Sequence, residues 1–238
     1  MNTKKCVIGV KNKIKIKGVK AVIFDLDNTL IDFMRMKRES CSAAVEAMIN
    51  AGLKMRKEDA MKVLFDLYNK YGLEYDKIFQ KFLEKTIKRI DYRILAEGVV
   101  AYRKMQTGYV KPYSSVVPTL IKLKAKGLKL GIISDAPAVK AWLRLVEMKI
   151  SDFFDVVVTL DDTGEKKPSK KPFEIALKRL RMKPSDVVYV GDRPERDIKG
   201  AKSLGIKTVF ARYGCENPPK FSGADFEIND IKDLLKII

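Results

Sequence analysis

Apolar positions along this chain fall into two spacings. Short continuous runs at residues 20–24, 128–133, 155–158, 187–190 and 207–210 have the length and β-branched content of buried strands. Between them the spacing becomes helical, near 115–126, 137–147, 172–181 and 196–203, with Gly127 and Gly205 as stops. A last short strand near 225–228 and a helix at 230–237 close the chain. Strands alternating with helices predict βαβ units and a mainly parallel sheet, an α/β fold. Residues 33–107 break the alternation. They show no convincing strand, and apolar clusters such as Ala43/Ala44/Ala47/Met48, Val63/Leu64/Leu67/Tyr68 and Ile78/Phe79/Phe82/Leu83 repeat at helical spacing. The expected organisation is therefore a core of residues 1–32 plus 108–238, with a helical unit over 33–107 inserted into it. Upstream, residues 6–10 and 13–17 read as strands of a small hairpin around Lys11-Asn12, ended by Gly18.

Composition narrows the class. With 238 residues, 46% apolar and 33% charged, the chain supports one large core plus a smaller unit, and no apolar run approaches the roughly 20 residues of a membrane span. The basic N-terminus carries an apolar run of only about five residues, too short for a secretion signal. Cys6, Cys41 and Cys215 are widely spaced and lack a CxxC, so the expected setting is a reducing cytoplasm rather than a disulfide or zinc framework. There is no histidine. Ser-His-Asp and Cys-His catalysis and His-ligated zinc are thereby excluded, which leaves carboxylates, hydroxyls, lysines, arginines or a hard metal. The net charge of +18 raises a nucleic-acid reading, but the 48 basic residues are spread along the chain and interleaved with acids. Lysines alternate with apolar residues over 11–17, as on an edge strand, and high Lys/Glu with two Gln fits a thermophile's solvated surface. The balance favours attraction of a small anionic substrate. Nothing in the pattern sets an oligomeric state.

The chemistry sits at the predicted strand ends. The first strand ends in Asp25-Leu26-Asp27-Asn28-Thr29-Leu30, the second in Ile132-Ile133-Ser134-Asp135, and the fourth in Gly191-Asp192 followed by Asp197; Lys166-Lys167-Pro168 precedes the helix near 172–181. Side chains alternate along extended backbone, so positions 25 and 27 can share a face. Parallel strands bring all these carboxyl ends to one rim. Each residue alone is an ordinary turn or cap residue; the ordered set is not ordinary.

This set resembles the haloacid dehalogenase superfamily of phosphohydrolases, of the type with a helical cap inserted after the first motif. Asp25 to Leu30 resembles its motif I, Ser134 motif II, Lys167 motif III with Phe173 beyond it, and Gly191-Asp192 through Asp197 motif IV. The resemblance spans residues 20–238. Local text (Lys166-Lys167-Pro168, Gly191-Asp192-Arg193, Asp197-Ile198, Gly200-Ala201-Lys202, Arg212-Tyr213-Gly214) is similar to that of archaeal members described as glyceraldehyde 3-phosphate phosphatases. Motif III departs from the usual Lys-Pro-x-Pro because Lys170 replaces the second proline, so Lys170 and Lys171 rival Lys167.

The resemblance implies a Rossmann-like parallel sheet with helices on both faces and Mg²⁺-dependent hydrolysis of a small phosphate monoester, such as a triose or other sugar phosphate. It implies Asp25 as nucleophile forming an aspartyl-phosphate and Asp27 as proton donor and acceptor, with Asp27 kept protonated by the crowding of acids. Ser134, Asp135 and Lys167 would meet the substrate; Asp25, Asp192, Asp197 and the backbone carbonyl of Asp27 would hold the metal. The charge tally agrees: Asp25, Asp27, Asp192 and Asp197 face a substrate phosphate with Lys167 as their nearest offset, and a hard divalent cation resolves the excess. A dehalogenase lacks the second aspartate. A sugar phosphomutase shares both and remains an alternative within the superfamily, and a basic nucleic-acid-binding protein with a relict site is the alternative outside it. Arg35, Lys37, Arg38, Tyr102 and Arg103 are candidate anion or hydroxyl contacts, set against the alternative that each belongs to a solvated helix face or to core packing.

Overall fold

The computed structural model of the protein describes residues 15–238. Ala21–Phe24 (β1) is apolar and buried at every position, as a central strand covered on both faces must be. It is joined by Lys129–Ile133 (β2), Val156–Val158 (β3), Val187–Gly191 (β4), Lys207–Ala211 (β5) and Phe226–Ile228 (β6) in the order β3-β2-β1-β4-β5-β6, with every pairing parallel. Strand order reverses at β1, and such a switch point is where open parallel sheets bind ligands. The register sets Phe24 beside Ile132 and Val190, so the segments that follow these residues emerge on one rim.

The helices are Phe33–Asn50 (α1), Lys57–Tyr71 (α2), Ile78–Ile87 (α3), Tyr92–Tyr109 (α4), Val116–Ala125 (α5), Ala138–Glu147 (α6), Leu160–Thr163 (α7), Lys170–Leu180 (α8), Lys199–Lys202 (α9) and Leu234–Ile237 (α10). Alternation along β1 divides its faces. Val22 and Phe24 pack with Leu120 and Leu123 of α5 and Leu145 of α6, whereas Ala21 and Ile23 pack with Phe173, Ala176 and Leu180 of α8. Helices α1–α4 have a separate core of Cys41, Met48, Leu64, Tyr68, Phe82 and Ile94 among others. Gly98 belongs to this packing, because a Cβ there would lie 2.1 Å from Met48 Cε where α4 crosses α1. Among the described residues, no helix is long and apolar enough to cross a membrane.

Several expected boundaries shift for local reasons. The predicted strand over 6–10 and the start of the one over 13–17 lie outside the described residues, and 15–17 form no strand; Ile16 N–H instead bonds the Ile237 carbonyl at 2.7 Å. The helix expected at 172–181 starts two residues earlier, where Ser169 accepts a hydrogen bond from Lys171 N–H as N-cap. The helix expected over 196–203 is divided. A π-helical turn, Pro194–Ile198, leads into α9, and wide turns of this kind mark places where a backbone is displaced to aim a side chain.

Candidate active site

Five segments build the site. Asp25 follows β1 directly, its N–H bonded to the Val190 carbonyl at 2.8 Å, and its side chain is buried. Asn28 turns the chain with φ 62° and accepts a hydrogen bond from Met34 N–H at 3.0 Å, which starts α1. The segment after β5 closes over this turn. Tyr213 donates to the Thr29 carbonyl at 2.7 Å, and at Gly214 a Cβ would lie 1.7 Å from the Asn28 carbonyl oxygen, so only glycine fits.

The structure brings Lys167, and neither of its rivals, to Asp25. Lys170 and Lys171 are exposed. The Lys167 ammonium is fully buried, 2.5 Å from Asp25 Oδ1 and 2.7 Å from Asp197 Oδ1, and it also donates to the Ile133 carbonyl at 3.1 Å and the Tyr189 hydroxyl at 3.0 Å. Tyr189 passes a hydrogen bond on to Asp197 at 3.0 Å. Asp197 reaches this position through the wide turn, with its Oδ2 accepting from Arg193 N–H at 2.9 Å. A Cβ on Gly191 would lie 2.6 Å from the Asp197 side chain. Burial alone would lower the Lys167 pKa, but Asp197 and Asp25 outweigh it and hold the ammonium above its ordinary value. For Asp197 burial opposes ionisation, yet Lys167 and Arg196 keep its carboxyl below the usual range.

Asp25 and Asp192 go the other way. Burial pushes Asp25 up to about 6 against the pull of Lys167. Burial and then repulsion from Asp25 and Asp197 push Asp192 to about 9. One oxygen of each, Asp25 Oδ2 and Asp192 Oδ1, is buried with no hydrogen-bond partner among the described residues. Asp25, Asp192 and Asp197 offer ligand atoms within 4.8 Å of one another. Carboxylates gathered this closely, with one buried oxygen of Asp25 and one of Asp192 unpartnered, suit a hard divalent cation. Both oxygens of Asp197 are already engaged, so the free ligand atoms belong to Asp25 and Asp192.

Other expected residues are placed differently. Asp135 lines the cleft, but its carboxylate accepts from Lys167 N–H and from Arg196 Nη1, each at 2.9 Å. Its carboxylate thus orients the Lys167 backbone and the Arg196 guanidinium, while the residue itself stays in the cleft wall where substrate contact was expected. Ser134 is buried, and its hydroxyl accepts from Ala136 N–H at 3.2 Å, which leaves its own hydrogen free to donate. Asp27 is partly exposed. Its Oδ2 accepts from Arg144 Nη1 at 2.9 Å and its Oδ1 has no partner among the described residues. Its pKa is raised, first by burial and then by Glu74, against the pull of Arg144. The acid that adds to burial at Asp27 is thus Glu74, in the loop between α2 and α3.

The cavity above Asp25 holds about 400 Å³, bounded by Asp27, Arg193, Arg196 and Lys166 on one side and by Leu73, Glu74 and Tyr75 on the other. None of the five candidate cap contacts lines it among the described residues. Lys37, Tyr102 and Arg103 line a second cavity of about 440 Å³, and Arg35 and Arg38 line a third. Lys37 is enclosed by the rings of Phe33, Tyr68 and Tyr102. The loop between α2 and α3 takes the expected position, and its one sequence signal was Gly72, whose φ of 91° suits glycine. Arg144, Arg196 and Tyr189 had no signal beyond their element, because a single charge or ring on a helix or strand is common.

Known proteins provide the comparison. The family described as haloacid dehalogenase-like hydrolase matches residues 22–211. The glyceraldehyde 3-phosphate phosphatase of Methanocaldococcus jannaschii is 35% identical over 223 residues, covering 92% of this chain and 97% of that protein. The protein of the same name from Methanopyrus kandleri is 36% identical over 226 residues, with coverage of 92% and 97%. Among solved structures, the HAD phosphatase from Thermococcus onnurineus matches with a TM-score of 0.66 at 28% identity, covering 92% of this chain and 97% of that one.

Proposed function

This chain belongs to the haloacid dehalogenase-like hydrolases and is a phosphatase, and from that premise we propose that it hydrolyses a small phosphate monoester through an aspartyl-phosphate on Asp25. The observation that carries this reading is the asymmetry of Asp25: Oδ1 is fixed by Lys167 while Oδ2 has no partner. Asp25 attacks with one carboxylate oxygen, and the other would face the divalent cation. The attacking oxygen forms a bond to phosphorus as the P–O bond to the alcohol breaks, and Asp27 gives the departing oxygen a proton. In the second half Asp27 takes a proton from the water that attacks the same phosphorus, inorganic phosphate leaves, and Asp25 is regenerated. Lys167 and Arg196 offset the negative charge that gathers around the phosphoryl group, and the Ser134 hydroxyl donates to one of its oxygens.

Mg²⁺ is the metal the residues fit. Asp25, Asp192 and the Asp27 backbone carbonyl would hold it, with Asp197 fixing Lys167 and the Arg193 turn beside it. When bound it supplies Lewis-acid charge that lets an anionic nucleophile approach an anionic ester. The helices α1–α4 act as a cap over residues 33–109 on a core formed by the rest, and the α2–α3 loop closes the cavity against water. A cavity of about 400 Å³ suits a small substrate. The relatives named glyceraldehyde 3-phosphate phosphatase support that ester as the first substrate to test.

The test replaces Asp25 by Asn and follows p-nitrophenyl phosphate hydrolysis with Mg²⁺ and with EDTA. Turnover falls by about three orders of magnitude in the variant. EDTA abolishes the parent's activity and added Mg²⁺ restores it. Undiminished turnover in Asp25→Asn, or indifference to EDTA, overturns the mechanism. A screen of triose, hexose and other small phosphate esters ranks the substrates; a preference for hexose phosphates over glyceraldehyde 3-phosphate removes the triose assignment.

A further inference from the structure

The guanidinium of Arg144 joins three parts of the molecule that have separate jobs. It lies on α6, a helix of the core, and is buried. Nη1 donates to Asp27 Oδ2 at 2.9 Å, at the end of the β1 segment. Nη2 donates to Glu74 Oε1, in the α2–α3 loop. Its plane sits 4.4 Å from the centre of the Phe33 ring, the first residue of α1, where the chain leaves the core for the inserted helices. One turn earlier on α6, Lys140 holds the same loop through Asp76 at 2.6 Å and through the side chain of Glu74 at 3.4 Å. Glu74 is a quarter exposed.

We propose that Arg144 is a positioning residue that makes the placement of Asp27 depend on the α2–α3 loop being closed. The inference rests on the reading of Asp27 as the group that protonates the leaving alcohol. With the loop closed, the two arms of the guanidinium are shared between two carboxylates, so Asp27 is held by one bond at Oδ2 and its Oδ1 stays unpartnered in the cavity wall. Leu73, Glu74 and Tyr75 line the cavity over Asp25, so a loop that lifts to admit substrate takes Glu74 away from Arg144. The freed arm then has Asp27 as its remaining carboxylate, and a planar fork facing one carboxylate pairs with both of its oxygens. That engages Oδ1 and withdraws the acid. Closure over a bound substrate returns Glu74 to Nη2 and releases Oδ1, so the acid is presented only when the cavity is sealed.

The experiment compares kcat/KM for p-nitrophenyl phosphate, whose leaving group departs without a proton, with kcat/KM for an alkyl phosphate such as glycerol phosphate, whose leaving group needs one. This quantity reports the steps up to formation of the aspartyl-phosphate, so the later use of Asp27 with water does not enter. Asp27→Asn sets the scale and moves the alkyl-to-aryl ratio down by about 100-fold. Arg144→Met lowers the same ratio by about tenfold or more, and Glu74→Gln, which keeps the Arg144–Asp27 bond and lies at a partly exposed position, lowers it by about threefold to tenfold. Arg144→Lys, which keeps the charge but not the fork, does not restore the ratio. Parallel loss on both substrates in Arg144→Met means a merely structural arginine and overturns the proposal. An unchanged ratio in Glu74→Gln overturns the dependence on the loop. If Asp27→Asn itself leaves the ratio unmoved, it is the reading of Asp27 that fails, and the outcomes are thereby told apart.

Discussion

Replacing Lys167 by Met tests the electrostatic centre of the site. The ammonium is fully buried between Asp25 and Asp197, whose side chains are 4% and 0% exposed. At 2.7 Å and an effective dielectric of about 20, the Lys167–Asp197 attraction alone is about 6 kcal/mol before desolvation is counted. Removing one partner of a buried pair costs about 3–5 kcal/mol, because the charge left behind is uncompensated. For a chain of this size that lowers Tm by roughly 6–20 °C. The cost depends on pH, and its sign follows from the shifts. In the parent, Asp197 titrates below its ordinary value, so its contribution is present above about pH 4 and is lost as pH falls through the lowered value. Lys167 titrates above its ordinary value, so its contribution is constant between about pH 5 and about pH 8, both well below the lysine reference value of about 10.4. In the variant only Arg196 opposes the burial penalty at Asp197, so its carboxyl moves above the ordinary value, and stability is kept at low pH and lost as pH rises. Urea denaturation of the metal-free proteins therefore gives a gap of about 3–5 kcal/mol at the upper pH that narrows toward the lower one. A gap below about 1 kcal/mol, the scale of an exposed pair, or a gap independent of pH, refutes the reasoning.

Other perturbations reach different parts of the account. Gly214→Ala puts a Cβ 1.7 Å from the Asn28 carbonyl oxygen and displaces the turn that carries Asp27; a shift of about 1 Å costs roughly 100-fold in kcat/KM, and activity within twofold of the parent would show that the turn is not clamped there. Tyr189→Phe removes the hydroxyl shared by Lys167 and Asp197 and lowers stability by about 1.5–3 kcal/mol in urea denaturation, whereas an unchanged midpoint would show that the bridge carries nothing. Without metal, Asp25 and Asp192 titrate near 6 and 9, above the ordinary carboxylate value, so their contribution is complete below about pH 4 and lost as pH rises through those values. Mg²⁺ binds the ionised forms, so the rise in Tm at saturating Mg²⁺ grows across that range and calorimetry in two buffers detects proton release; a Tm rise that shrinks with pH contradicts the assignment.

How much of this could be read from sequence depended on whether a feature was local. The strands were legible because a buried parallel strand is an uninterrupted apolar run, as at Ala21–Phe24 and Val187–Gly191. Strand order then placed Asp25, Ser134, Lys167, Asp192 and Asp197 near one rim, and the structure brings Asp25, Lys167, Asp192 and Asp197 into one buried cluster. Competition among Lys167, Lys170 and Lys171 could not be resolved by counting, since Ser169 starts α8 and leaves the last two exposed. The wide turn at Pro194–Ile198 was invisible because it is set by how Asp197 meets Gly191, a contact between segments. The same holds for the cap. Lys37 and Tyr102 sit on helix faces with the right chemistry for a ligand, but those faces turn to a second cavity, and the loop that reaches Asp27 does so through a pairing of Glu74 with an arginine 70 residues away. Asp135 shows a further limit. Its place beside Ser134 was legible, but its acceptance of Lys167 N–H and Arg196 Nη1 was not.

The central claim is that Asp25 carries the phosphoryl group between the two halves of the reaction. Asp27→Asn protein incubated with p-nitrophenyl phosphate and Mg²⁺ forms the intermediate, because that leaving group needs no proton, but breaks it down slowly for want of a base. After an acid quench, intact-mass and peptide analysis should find the mass of one phosphoryl group on the peptide containing Asp25, sensitive to hydroxylamine and absent from the Asp25→Asn, Asp27→Asn double variant. Release of p-nitrophenol with no phosphoryl group on the protein, or a phosphoryl group on another residue, would contradict the account.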